Sequence, residues 1–525
     1  MSSKDKGKKD KSYIYLIIIV SLAIAIRLLP VFLLKEPQST DVWPLIRETN
    51  MMLSNNGVRI WDNNALGGYN NRMPGVLLFS EVVSRATGIP AFYIYSFLPS
   101  LIIGESMLIF YLLIKRLGGN GLLSISFTFF IGSFIIFTST LLKEVFAYPL
   151  FFLILFLACF AEKAKDLIVI ALSSATLAIS HPLPTIFLLS TLLLVPALRL
   201  GEKYLNGSKV KQIGGKDRLL VATGIIVSAS FALYYFFYGA HGVKGYVINS
   251  IKPTLFVYAS LIVLTYMFFT PKNARRLNTI TSSSLIVIGI AVLLLATLGN
   301  ITMLSNKGYG WQIVLVGLPL VFLVPLGFIY ELGKVKNRLI GSSLFLVFSS
   351  SFLYILISDP ILQMVLYRLT NYLVIWGGIV VGLVASKKGA KGLSYASSIA
   401  SIATGILTII IFSTGLTYTL HWYLSSQWRY SYGLVNSAID AYKLNISHLA
   451  LYGDVKLGYL LNGIAKVNTN QVLLGRIHGL LMLYRGNFKL GFYSTTNVYN
   501  LKELKIDLNS DVVLRSPYLF LVYYR

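Results

Sequence analysis

Ser39-Thr40-Asp41-Val42-Trp43-Pro44-Leu45-Ile46-Arg47 stands just beyond a long apolar segment, inside a polar stretch that runs from Lys35 to Pro90. Trp61-Asp62-Asn63-Asn64, Gly67-Gly68-Tyr69 and Asn70-Asn71-Arg72-Met73-Pro74-Gly75 continue it until apolar sequence resumes. Connections between elements in compact proteins are mostly short, so about 56 residues between two apolar segments marks a working loop rather than a link. An acid, tryptophans, arginines and asparagines at a membrane surface suit the holding of a polar or phosphorylated substrate. The remaining chain reads as a scaffold for that loop.

Composition supports this order of argument. The 525 residues are 55% apolar and only 13% charged, with a mean hydropathy of +0.70. Soluble chains carry about a quarter charged residues, so this is an integral membrane protein. The 33 tyrosines and 31 phenylalanines suit interface belts and packing between helices. The single cysteine, Cys159, lies in an apolar run, which excludes internal disulfides and a cysteine metal cluster. A formal charge of +26 could speak for nucleic acid. Its placement in short loops between apolar segments speaks for membrane topology instead, and no nucleic-acid partner is expected.

Apolar runs long enough to cross a bilayer recur, and thirteen spans are expected. They lie near 13–34, 91–114, 119–140, 145–161, 167–180, 183–200, 219–240, 252–270, 279–303, 310–331, 339–358, 360–385 and 395–420. The fourth to sixth could mix spans with re-entrant segments. Residues 1–12 form a lysine-rich tail, and the first span has no small-residue cleavage site, so an uncleaved anchor is expected. With the tail cytoplasmic, the inner connections carry Lys115/Arg116, Lys163/Lys165 and the basic run Arg199 to Arg218. Later ones carry Lys272/Arg275/Arg276, Lys334/Lys336/Arg338 and Lys387/Lys388/Lys391. Short outer connections carry only Lys143, Lys244, Lys252 and Lys307. The positive-inside rule then places the 35–90 loop and the C-terminal segment outside a multi-pass cell-membrane protein.

The fold class expected is thus an all-α polytopic bundle, residues 13–420, followed by a small extracytoplasmic domain at 421–525. In that last part short apolar runs such as Val472-Leu473-Leu474 and Tyr518-Leu519-Phe520-Leu521-Val522 alternate with turn residues, which suits an α/β or β-rich domain. Sequons at Asn206, Asn300 and Asn445 fall on both predicted faces and carry little weight.

Three groups of residues carry chemistry. Asp41 lies seven residues beyond the last apolar residue of the first span, within reach of water and a headgroup. It could serve as a general base on an acceptor hydroxyl, or hold a metal that does; on spacing alone an Asx turn or the cap of a short helix containing Trp43 to Met52 is the plainer reading. Lys143-Glu144 falls on the outer side between two spans. Glu144 could approach Asp41 and join it in acid/base work or in binding a divalent cation, magnesium or manganese; a charged pair capping the next helix is the plainer reading. Arg368 sits roughly 12 Å into a late span, where an arginine marks a functional site by default. Asn371 and Tyr372, three and four residues on, share its helical face. Guanidinium, amide and phenol together suit a lipid phosphate or pyrophosphate, while an ion pair between helices is the alternative.

Other intramembrane polar residues are secondary. Arg27 should snorkel to the interface, and Glu105 should be protonated or locally paired. His181, in Ser180-His181-Pro182-Leu183-Pro184, marks a break between two spans and could bind substrate, ligate a metal or act structurally. Trp43, Trp61 and Tyr69 could anchor the loop at the surface. A phosphate-binding glycine loop, a His-Glu-x-x-His motif and a cysteine cluster are all missing from the sequence. With only short, basic inner loops, an activated substrate must arrive through the membrane.

At these residues the chain resembles GT-C fold glycosyltransferases, the polytopic class that includes protein mannosyltransferases and oligosaccharyltransferases. Ser39-Thr40-Asp41-Val42-Trp43 is similar to the acid-bearing first outer loop, and Arg72-Met73-Pro74-Gly75-Val76-Leu77-Leu78 with Thr87-Gly88-Ile89-Pro90 to its return. Lys143-Glu144 before Ala147-Tyr148-Pro149-Leu150 is similar to the second outer loop, and Ser180-His181-Pro182-Leu183-Pro184-Thr185 to a break in prokaryotic members. The resemblance implies a polyprenyl-phosphate-linked sugar as donor and a protein, lipid or glycan as acceptor. It further implies Asp41 as base, Glu144 assisting, Arg368 on the lipid phosphate, and Trp43, Trp61 and Tyr69 as residues that could stack on sugar rings. Asp41 is followed by Val42, the second loop has no Asp-x-Asp, and the C-terminal region has no Trp-Trp-Asp-Tyr-Gly. Those departures favour a monosaccharide transferase over an oligosaccharyltransferase and leave any cation requirement open. A lipid or glycan flippase and a non-catalytic scaffold of the same fold are the rival classes, though no internal repeat favours a transporter.

Overall fold

A computed structural model of the chain describes residues 3–54, 68–205, 215–239, 319–332, 335, 337–356, 366–387, 389–414, 430, 432–443, 449–461, 465–494, 498–502, 504, 506 and 511–524. The expected spans at 252–270 and 279–303, most of that at 310–331, Trp61 and the three sequon asparagines lie outside the described residues.

The described chain is mostly helical with a small sheet, because a bilayer offers no water to backbone N–H and C=O groups and helices satisfy them internally. Its helices are α1 (Ser3–Leu34), α2 (Val42–Ser54), α3 (Gly75–Thr87), α4 (Ala91–Arg116), α5 (Gly121–Thr128), α6 (Gly132–Thr138), α7 (Lys143–Phe160), α8 (Ala164–Ser180), α9 (Pro182–Leu205) and α10 (Gly215–Tyr234). They continue as α11 (Leu323–Leu332), α12 (Arg338–Leu356), α13 (Leu366–Val384), α14 (Lys391–Thr414), α15 (Tyr432–Lys443) and α16 (Val455–Leu461), with two shorter helices among the strands. Among the described residues six helical segments are long and apolar enough to cross a membrane: Ser12–Leu34, Ala91–Arg116, Lys143–Phe160, Pro182–Leu200, Asp217–Gly239 and Lys391–Ile410. A seventh is formed if α5 and α6, bent by 75° at their junction, count as one. The segments read at 339–358 and 360–385 contain the shorter apolar helices Arg338–Phe352 and Arg368–Val384. These helices mark a membrane protein.

The chain separates into two compact units. The first contains residues 1–26, 100–138 and 143–409. Its centre is the contact of α13 with α5, which small residues make possible. A Cβ on Gly377 would meet the Phe127 ring at 2.6 Å, one on Gly382 would meet Ile114 at 2.6 Å, and one on Gly378 would strike the Thr128 hydroxyl. Without side chains at these positions the helices close, and the Ser124 hydroxyl donates to the Gly378 carbonyl at 2.8 Å. Asn120 caps α5 by accepting from the Leu123 amide at 3.3 Å, while its own amide donates to the Gly382 carbonyl at 2.8 Å. Where α5 gives way to α6, the Phe130 carbonyl lies against Gly405 of α14.

The second unit contains residues 27–99, 139–142 and 410–525. Most of the polar loop and the C-terminal segment therefore belong to one compact body, whereas the sequence divides them at 420/421. The loop is ordered by helices: α2 packs on α3 and on α16, Asn70 donates to Glu48 at 2.7 Å, and Arg85 reaches the Met52 carbonyl at 2.9 Å. The strands are β1 (Leu451–Tyr452), β2 (Val467–Asn468), β3 (Gly479–Tyr484), β4 (Phe492–Tyr493), β5 (Val498–Tyr499), β6 (Asp511–Arg515) and β7 (Leu519–Tyr524). Five form a sheet in the order β2-β1-β3-β7-β6, parallel across β2-β1-β3 and antiparallel across β3-β7-β6, and β4 pairs β5. Central strand β3 is buried along its whole length, and Leu481 and Leu483 join Tyr452, Val472, Phe492 and Leu501 in the core.

Gly405 tests the packing of the bent pair, because a methyl there meets backbone, which cannot rotate away. Gly405→Ala is expected to destabilise the protein by about 1–3 kcal/mol, read as a lowered thermal midpoint in detergent. Gly392→Ala, on the same helix with nothing within 4 Å of an added Cβ, should leave the midpoint unchanged or slightly raised.

Candidate functional site

In the first unit a set of polar side chains lies buried among apolar helices. Glu144 stands in the first turn of α7, 1% exposed, and accepts from the Tyr148 hydroxyl one turn later at 2.9 Å. Asn371 and Tyr372 of α13 approach the same carboxyl, and Arg368 lies within its electrostatic reach. The approach is close but not aligned. Among the described residues, Asn371 Nδ2, the Tyr372 hydroxyl and Glu144 Oε2 have no hydrogen-bond partner. The Tyr372 ring stacks on Phe187 of α9 with centroids 3.9 Å apart, which fixes the phenol in place.

His181, 6% exposed, occupies the break between α8 and α9. Its Nδ1 accepts from the Leu183 amide at 3.2 Å, and its Nε2 lies 3.4 Å from Arg368 Nη1. The charge of Lys143, itself buried, also reaches the imidazole. The structure thus brings together Glu144, His181, Arg368, Asn371 and Tyr372 from α7, the α8/α9 break and α13. Lys143 enters the set beside Glu144, and Tyr148 belongs to it although the sequence reading gave it no role; the i,i+4 spacing from Glu144 to Tyr148 was the available signal.

A second set lies in the second unit around Asp41. The Asp41 amide donates to Ser39 Oγ at 3.2 Å, and the Thr40 hydroxyl donates to Asp41 Oδ1 at 3.4 Å. The carboxylate therefore sits on a tight turn before α2, half-buried, with Ser39 at φ 84°. Asp41 and Arg47 both act electrostatically on Tyr430, whose hydroxyl donates to the Lys456 carbonyl at 2.7 Å. Burial pushes the Tyr430 phenol well up and lowers the Arg47 guanidinium to about 10. Beneath them the Lys456 ammonium lies 5.0 Å from the centroids of both the Tyr430 and Tyr484 rings. Asp454, fully buried, caps α16 by accepting from the Leu457 amide at 3.0 Å, and also accepts from Tyr484 at 2.7 Å and Asn487 at 2.9 Å. Burial raises its carboxyl, and those three donors and Lys456 oppose the rise. Tyr430, Asp454 and Lys456 were not anticipated from the sequence, since nothing local ties them to Asp41.

The expectations for Trp43 and Arg27 need correction. Trp43 is buried, with its ring against Phe92 (6.4 Å) and edge-on to Tyr430 (5.8 Å), so it packs as core rather than offering a face to a sugar. Tyr69 is exposed. Arg27 is fully buried and does not snorkel, whereas Glu105 is exposed on α4. Among the described residues no group of three or more His, Cys, Asp or Glu side chains comes together as a metal site. No protein-family model matches the chain, and no curated protein matches it.

Glu36, just beyond the first apolar segment, offers a pH test of the loop. It is buried, its Oε2 has no hydrogen-bond partner among the described residues, and burial raises its carboxyl from 4.5 to about 7. Between those values the folded chain keeps a proton that the unfolded chain has released. Stability therefore declines as pH rises from about 4.5 to 7, and this contribution stays lost above that window. The thermal midpoint of Glu36→Gln, compared with wild type at each pH, should rise relative to it across this window. A constant difference between the two would reject the assignment.

Proposed function

We propose that this chain is a polytopic membrane glycosyltransferase of the GT-C kind. It moves a sugar from a polyprenyl-phosphate carrier to a hydroxyl on a protein, lipid or glycan at the outer face. Thirteen spans, a cytoplasmic N-terminus and an outer C-terminal region complete this reading. The observation that carries it is the polar set in the first unit: a half-buried guanidinium with a buried imidazole, amide and phenol around it, among apolar helices. That chemistry suits one phosphate on an apolar tail.

In the reaction, the acceptor hydroxyl gives its proton to Asp41, and its oxygen forms a bond to the anomeric carbon. The bond from that carbon to the phosphate oxygen breaks, and its electron pair leaves with the polyprenyl phosphate. Arg368 stabilises the charge that develops on the leaving oxygen. Glu144 is better suited to orienting Arg368, Asn371 and Tyr372 than to acting as a second base, since Tyr148 already engages it. The turn that presents Asp41 and the nearby Arg47 and Tyr430 suit an acid that must stay partly solvated.

One rival has an observation in its favour. The 75° bend between α5 and α6 is a broken helix, as transporters use near their substrates, so a lipid or glycan flippase is the second reading. Turnover of a lipid-linked sugar by purified protein separates the two. Wild type should turn over, Asp41→Asn should lose about 10²-fold or more in kcat, and Arg368→Gln should lose activity with intact expression. Equal turnover in wild type and Asp41→Asn would move the base elsewhere. No turnover by wild type, with several carriers and acceptors tried, would favour the flippase or a non-catalytic scaffold.

A further inference from the structure

Both ring nitrogens of His181 face donors, and a neutral imidazole has only one acceptor nitrogen. Helix α9 begins Pro182-Leu183, and Pro182 has no N–H, so the first amide of the helix that needs a partner is that of Leu183. Nδ1 of His181 accepts from it at 3.2 Å, which makes the imidazole the N-cap of α9. A ring that accepts at Nδ1 carries its proton on Nε2. The opposite tautomer would set Nδ1–H against the Leu183 amide and leave the cap unmade, and the doubly protonated ring would do the same. The cap therefore dictates the Nε2–H form.

This has a consequence at the other nitrogen. Arg368 Nη1 lies 3.4 Å from Nε2, and a guanidinium has no acceptor. The two groups are neighbouring donors and cannot satisfy each other. An anionic oxygen placed beside both would accept from each. We propose that His181 is the second ligand of the carrier phosphate, donating from Nε2 to a phosphate oxygen beside Arg368. The proposal rests on the reading of Arg368 as the phosphate ligand. A neutral donor is fitting here, because it adds a hydrogen bond without adding a cation next to Arg368 and Lys143. His181 would thus join a structural duty, capping α9, to a binding one through the same ring.

The two duties separate by substitution, measured as binding of a polyprenyl monophosphate to the full-length protein in detergent. His181→Asn keeps a cap acceptor near Nδ1 but is too short to donate at Nε2. It should stay folded and bind about 10–100-fold more weakly, the effect of removing a hydrogen bond to a charged group. His181→Gln, whose amide nitrogen can reach the Nε2 position, should bind within about threefold of wild type. Wild-type affinity in His181→Asn would overturn the proposal and leave His181 as a cap alone. Equal weakening in the Asn and Gln variants would also overturn it, because the Nε2 donor would then not be the cause. Arg368→Gln serves as the control on the parent reading. If it binds like wild type, that reading fails, whereas loss at Arg368 with none at His181→Asn removes only this inference. Phosphatidylglycerol should not show the same dependence on His181; if it does, the pair serves membrane lipid and the proposal falls.

Discussion

Charge inside an apolar bundle is the constraint from which the first unit is best understood. A carboxyl, a guanidinium, an ammonium and an imidazole are each costly to remove from water, and the cost is tolerable only where they face one another and polar neighbours. Glu144 meets it with Tyr148 on its own helix and with Arg368, Asn371 and Tyr372 from α13. His181 meets it with the Leu183 amide. These pairings tie α7, the α8/α9 break and α13 to one point. Separating them would leave a charge without compensation, which is more costly than losing an apolar contact.

The second unit solves the same problem outside the apolar helices. Asp454 is fully buried yet accepts three hydrogen bonds, and Lys456 lies between two aromatic rings. A buried carboxylate with all its donors in place holds a single geometry. Through Tyr430 this geometry extends to the surroundings of Asp41, so the turn before α2 rests on residues more than 380 positions away in the chain.

Sequence reading succeeded where periodicity or capping is local. Arg368, Asn371 and Tyr372 share a face because they fall at i, i+3 and i+4, and the segment after Asp41 is helical over Val42–Ser54. Thr40-Asp41 does form a turn, and Ser180-His181-Pro182 does break two helices. The failures concern partners. Depth in a span says that Arg27 must find polar company, but only packing decides that it is buried instead of reaching the interface. An aromatic in a loop can be a platform or a core residue, and Trp43 became core because Phe92 and Tyr430 close on it. The boundary at 421 follows a change in composition, whereas residues 27–99 join the C-terminal segment through contacts that composition does not record.

The glycines of α13 bear on whether Arg368 can act as a positioned ligand. Trp376 is fully buried against Phe345, and Gly377, Gly378 and Gly382 allow α5 to approach until side chain and backbone touch. Such a seam has little slack: rotation of α13 about its axis would drive a side chain into a space made for none. Arg368, Asn371 and Tyr372 lie nine, six and five residues before Gly377, the start of that seam on the same helix, and Tyr372 is held again by Phe187. Their directions are therefore set by packing and not by a ligand. A helix that must present three polar groups at one depth in an apolar bundle gains this precision from residues that have no polar chemistry of their own.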